Sequence, residues 1–238
     1  MSRATVIARR ELSSYFYSPI AYVAMVVFLL LCGGMFWMDF EPGEPAAMRT
    51  IFDKMINVLV FIIPILCMGL LAQELASGTI ETMMTAPVSE TDMVLGKFMG
   101  SVAFFVILLV PTLLYVLLLR AYGRPDIGPI VSGYLGIILV GAMFISVALF
   151  CSSLTRFQLV AAVAAAAFLT LITIVPWLAG GLTELPAFGR KIVDQAVYRR
   201  YTDFSRGVID TGNVVFFLVS TAVFLFLTVK VLESRRWK

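Results

Sequence analysis

The chain has 238 residues, 61% of them hydrophobic and 14% charged, with a formal net charge of +3; a soluble domain is nearer half apolar and a quarter charged. Mean hydropathy of +0.97 points to a polytopic membrane protein and sets soluble enzymes aside, while the weak, dispersed positive charge speaks against nucleic-acid binding. The chain has no histidine, which removes imidazole acid–base chemistry and histidine metal sites, and Cys32, Cys67 and Cys151 are scattered through apolar runs as small buried hydrophobes, without disulfide or metal-ligand spacing.

The chain opens with an amphipathic segment, Ser2 to Tyr17. Ala4, Ala8, Leu12, Tyr15 and Phe16 recur at helical steps, while Arg3, Arg10, Ser13 and Ser14 lie elsewhere around the helix. This suits an interfacial helix closed by Ser18–Pro19.

A membrane helix needs about 20 largely apolar residues, and six runs qualify. They are Pro19–Met38, Met55 to about Gln73, Phe98–Leu119, about Ile130–Leu154, Phe157 to about Ala179, and about Thr211–Val229. Pro64, Pro111 and Pro176 predict kinks, which neighbouring helices accommodate in a membrane. Ser153 to Arg156 make a tight hairpin between the fourth and fifth runs. The first run is too long for the core of a cleaved signal peptide and is followed by no A-x-A site. The alanine-rich stretch Ala161–Ala167 suits close helix packing.

Two connections stand out. The stretch from Glu74 to Lys97 places Ala76, Ile80, Met83 and Met84 on one face of a short helix that Pro87 closes. Ser89 and Asp92 then form an S-x-x-D cap for the helix entering the third span. Methionines on one face and Glu81 on another suit docking into a partner's groove, with a plain interfacial helix as the competing reading. The long connector Gly180–Asp210 alternates aromatic and basic residues, as expected of short interfacial helices.

Six spans put both termini on one side. Arg3, Arg9 and Arg10 at one end, and Lys230, Arg235, Arg236 and Lys238 at the other, assign that side to the cytoplasm by the positive-inside rule. With the termini included, Lys and Arg are evenly divided, nine on each side, so the assignment rests on the clustering at the termini. Between their ends the six runs contain no Asp, Glu, Lys or Arg. Intramembrane charges usually mark proton relays and ion paths, so a proton-coupled transporter, an ion pump and an intramembrane metalloprotease are all disfavoured. There is no phosphate-binding G-x-x-x-x-G-K-[ST] motif, and Gly96–Lys97–Phe98 lacks both its spacing and its hydroxyl. ATP, if it drives the protein, binds another subunit.

The pattern Glu74…Ser77-Gly78-Thr79-Ile80-Glu81…Pro87-Val88-Ser89…Gly96-Lys97 resembles the cytoplasmic loop of type-2 ATP-binding-cassette (ABC) permeases. Tyr15-Phe16…Ser18-Pro19 is similar to that family's N-terminal elbow helix. Phe204…Arg206-Gly207-Val208-Ile209-Asp210 looks like the subgroup containing gliding-motility and copper-maturation permeases. The resemblance covers essentially the whole chain.

It implies an all-α, six-span permease domain over 1–238, with an elbow helix at 1–18, a coupling loop at 74–96 and an extracytoplasmic connector at 180–210. It further implies a homo- or heterodimer in the bacterial inner membrane, each half docked on a cytoplasmic ATPase. The coupling helix, about Ser77 to Thr85, would pass the closure of the ATPase to the spans. Glu74, Gly78, Thr79, Glu81, Met84 and Pro87 would be the coupling residues. No cofactor is expected in this chain, ATP being held by the partner; lipid and an extracytoplasmic accessory protein complete the expected contacts. The expected function is the membrane subunit of an ATP-driven exporter. The alternative is a non-transporting mechanotransmission or assembly subunit of an envelope or motility machine.

Overall fold

In a bilayer an apolar run of about 20 residues has no water to bond its backbone and must close its own hydrogen bonds as a helix. The computed structural model describes residues 3–39, 48–78, 89–122, 126–179 and 197–236, and every regular element among them is helical. In chain order these are α1 (Arg3–Tyr17), α2 (Pro19–Asp39), α3 (Arg49–Cys67), α4 (Gly69–Ser77), α5 (Glu90–Leu109), a 3₁₀ turn (Val110–Thr112), α6 (Leu113–Tyr122), α7 (Ile127–Leu154), α8 (Gln158–Ala179), α9 (Val197–Ser205) and α10 (Thr211–Arg236).

Among the described residues five segments are long and apolar enough to cross a membrane: Pro19–Met38, Arg49–Ser77, Glu90–Ala121, Ile127–Leu154 and Thr211–Arg235. They match the first, second, third, fourth and sixth expected runs. The second and third extend past the apolar residues, so that Asp53, Lys54, Glu74 and Lys97 lie on spanning helices. The expected fifth run falls on α8, whose described apolar stretch, Gln158–Ile174, is shorter than the other five. Pro111 coincides with the 3₁₀ turn, and Pro64 lies one turn before the interruption between α3 and α4.

The bundle is built around α7 and α3–α4. About three quarters of the apolar window of α7 (72%) and two thirds of that of α3–α4 (67%) are buried, against 28% for α2 and 22% for α10. On α7, Gly133 and Gly141 lie beneath the rings of Phe52 and Phe105, where a larger side chain would leave no room. The outer helices expose Val23, Leu30 and Trp37 on α2, Val163 and Leu171 on α8, and Val219 and Phe226 on α10. Such continuous apolar faces are compatible with a lipid surround and not with water.

At one end of the bundle, α9 caps α7 and the start of α10. Tyr201 and Phe204 are fully buried, and Ser132 on α7 donates to the Phe204 carbonyl at 2.7 Å. Burial pushes the Tyr201 phenol well above its ordinary range, so it stays neutral and donates to the Gly133 carbonyl at 3.4 Å. Asn213 on α10 ties down Asp203 (2.8 Å) and accepts from Arg200 (3.2 Å), whose guanidinium covers the Phe216 ring. This part of the connector is therefore folded into the bundle rather than lying on its surface. Its remainder, 180–196, falls outside the described residues.

At the opposite end, the near end, α1 lies along the first half of α5. Tyr15 stacks on Phe104 with centroids 4.6 Å apart, and its hydroxyl meets Ser101 Oγ at 2.9 Å. Gly96 and Gly100 let the two backbones approach: a Cβ on Gly100 would sit 2.8 Å from the Ala8 carbonyl oxygen. A methyl group there has to push a backbone aside, at a cost of about 1–3 kcal/mol. Gly100→Ala should accordingly lower the unfolding midpoint of the purified protein in detergent. Gly34→Ala, whose Cβ meets nothing within 4 Å, should not. Equal midpoints for the two variants would contradict the close approach.

Candidate functional site

Where α1, α4 and α5 meet, one lysine is taken out of water. Lys97 Nζ lies 2.5 Å from Glu11 Oε1 and 2.8 Å from Glu74 Oε1, with 2% of its side chain exposed and 17% of each glutamate. An unpaired ammonium in such a place costs several kcal/mol. Two carboxylates from two other segments supply the compensation, so the lysine fixes α1 to α4 as firmly as it fixes either to α5.

Local sequence explains how each group arrives. Glu11 stands between Ala8, Leu12 and Tyr15 on the stripe of α1 that faces α5. Lys97 lies between Gly96 and Gly100, which open the trough into which α1 settles. Glu74 sits one turn before the end of α4. The Lys97 carbonyl accepts from Ser101 Oγ at 2.9 Å, and Ser101 in turn meets Tyr15, so the ion cluster continues into a hydroxyl pair. Burial pushes the Tyr15 phenol well above its usual range, keeping it a neutral partner.

The same contacts define the base of the loop between α4 and α5. Gly78 ends α4 with φ +71° and ψ 2°. That left-handed cap is the position at which glycine carries the least penalty. On the other side Ser89 caps α5: the Asp92 N–H donates to Ser89 Oγ at 3.1 Å, and Ser89 Oγ donates to Asp92 Oδ2 at 2.7 Å, as the S-x-x-D spacing predicts. Glu90 and Asp92 place negative charge on the first turn of α5, where the helix dipole favours it. The Glu74–Lys97 pair thus joins the two strands of chain that enter and leave the loop. Thr79, Glu81, Met84 and Pro87, together with the rest of the expected coupling helix beyond Gly78, lie outside the described residues.

Of the expected coupling residues, then, Glu74 and Gly78 are placed at the loop's base. Glu11 has no place in the sequence-based expectations, and Lys97 enters them only as the end of the loop pattern, without a role. The available signal was a lone acidic residue on the apolar stripe of α1, and a lysine flanked by glycines where a helix enters the membrane.

Beside the cluster opens a cavity of about 420 Å³. Its lining includes Glu11, Glu74 and Lys97 themselves, polar Arg10, Ser14, Gln73 and Gln158, and apolar Ile20, Ile65, Leu66 and Leu70. Among the described residues no group of three or more cysteines and carboxylates is placed to hold a metal ion. The arrangement ties three segments together and carries no nucleophile–base pair.

These features define a multi-pass, all-helical membrane protein whose distinctive chemistry lies in a polar cluster at one end of the bundle. Residues 5–237 match the family described as ABC-2 family transporter protein, and the chain belongs to that family. It is a membrane component of an ABC transporter, and membership implies a separate ATP-binding subunit and a second permease copy. The comparison with curated proteins returns no match.

Removing one partner of a buried ion pair leaves the other charge stranded, typically at about 3–5 kcal/mol. Lys97→Ala, which leaves Glu11 and Glu74 facing each other, should lower the unfolding midpoint strongly. The triple variant Glu11→Gln, Lys97→Met, Glu74→Gln should recover most of the loss. A triple variant as unstable as the single one would show that packing, not charge pairing, holds the cluster.

Proposed function

We propose that the chain is the permease subunit of an ATP-driven ABC exporter, with six spans, both termini in the cytoplasm and ATP held by a separate subunit. In this reading α8 is the remaining span and the near end of the bundle faces the bacterial cytoplasm. The protein works as a dimer in the cytoplasmic membrane. Helix α1 acts as the elbow, and the stretch from Ser77 to Thr85 is the coupling helix.

The observation that carries the reading is the fixed base of the α4–α5 loop. A loop that transmits force must be attached to the spans by something stiffer than backbone, and Glu74–Lys97–Glu11 attaches it at once to the second span, the third span and the elbow. Motion imposed on the loop by a closing ATPase dimer then reaches three elements together. Membership in the ABC-2 family supports the same division of labour, with hydrolysis on one subunit and movement of substrate through another.

The docking surface in this reading is Glu81 with the Met83–Met84 face. Glu81→Arg and Met84→Asp should each abolish co-purification of the ATPase while leaving the amount of chain inserted in the membrane unchanged. Undiminished co-purification in both variants would remove this loop as the docking site.

A further inference from the structure

The second span changes its hydrogen bonding at Met68. That residue keeps helical backbone angles (φ −56°, ψ −36°) yet separates α3 (Arg49–Cys67) from α4 (Gly69–Ser77) within one crossing. At the interruption sits Ser152 of α7, fully buried. Its Oγ accepts from the backbone N–H of Leu71 at 3.1 Å and of Ala72 at 3.0 Å, and donates to the Met68 carbonyl at 3.0 Å. One hydroxyl therefore uses both its donor and its acceptor capacity on another helix's backbone. A serine with no role beyond its own helix would ordinarily bond back to a carbonyl three or four residues earlier, as Ser146 and Ser153 do.

The residue is also held from behind. Arg235, at the end of α10, donates to the carbonyls of Ser153 and Leu154 at 3.1 Å each. It thereby satisfies two of the orphan acceptors at the end of α7 and sets a positive charge against the negative end of that helix. The end of α7 is thus fixed, and the piece of chain that Ser152 grips is the one that carries Glu74.

We propose that Ser152 is a positioning residue for energy coupling: by bonding the turn at Met68–Ala72 it makes that turn the fulcrum about which Gly69–Ser77 tilts as a unit against the fixed end of α7. The proposal rests on the permease reading above. An unbroken helix would transmit a push along its whole length into the buried centre of the bundle. A helix with a polar joint converts it into rotation of a nine-residue lever. Because Ser152 supplies a side-chain acceptor to the N–H groups of Leu71 and Ala72, the lever moves without exposing an unpaired N–H to hydrocarbon.

The test uses the full chain in lipid nanodiscs, with its co-purified ATPase, read by amide hydrogen exchange. In the wild type, adding a non-hydrolysable ATP analogue should change exchange within 69–77 and leave 49–67 unaltered. Ser152→Ala should exchange at least about tenfold faster at Leu71 and Ala72, retain the ATPase, and lose the nucleotide response in 69–77. Ser152→Cys keeps the volume with a weaker donor and acceptor and should fall between the two. It also carries the test if the alanine variant fails to insert, a failure that accelerated exchange across 49–67 would reveal. Wild-type exchange and an intact nucleotide response in the serine variants would overturn the fulcrum, as would slower exchange from a helix that bonds itself closed. Absence of any ATPase from the wild-type preparation would instead overturn the permease reading on which the proposal stands.

Discussion

A lysine side chain withdrawn from water is the constraint on which the near end of the molecule depends. Lys97 is 2% exposed, and a bare ammonium in that position would cost more than most single contacts contribute. The chain answers with Glu11 from α1 and Glu74 from α4, and each answer has a structural consequence. Glu11 reaches the lysine only if α1 lies along α5. Glu74 reaches it only if the two sides of the loop come together at their base. One charge thus orders α1 and two membrane helices at once.

The rest of the bundle follows a complementary logic. α7 and α3–α4 are buried on most sides and form a fixed centre, while α2, α8 and α10 wrap it with apolar faces turned outward. Polar groups inside are few, and those that hold helices together do so in short links: Ser132 to Phe204, Ser152 to the α4 backbone, Arg235 to the end of α7. In a medium that offers no hydrogen bonds such links have few competitors, although their net worth per bond is modest. They set register between helices whose apolar surfaces would otherwise slide.

Much of this was legible in the sequence and some was not, for identifiable reasons. Long apolar runs announce themselves because the bilayer imposes a length, and five of the expected runs coincide with helices long enough to cross. Capping by Ser89 was readable because its geometry is local. The ion cluster was not, because Glu11, Glu74 and Lys97 are far apart in sequence and each, taken alone, passes for a solvated charge near a helix end. Ser152 was hidden for the opposite reason: a serine in an apolar run looks inert until the helix it bonds is known. The folding of Tyr201 and Phe204 into the core was likewise missed, since aromatic residues among arginines read equally well as an interfacial surface.

The central claim is that the near end of the bundle is the place where an ATP-binding subunit takes hold. The most direct measurement is purification of the tagged full chain from its native membranes in mild detergent, with mass spectrometry and an ATPase assay on the eluate. The account predicts a stoichiometric subunit carrying a phosphate-binding loop, with ATPase activity in the same fraction. A clean chain with no ATPase across several detergents would contradict it.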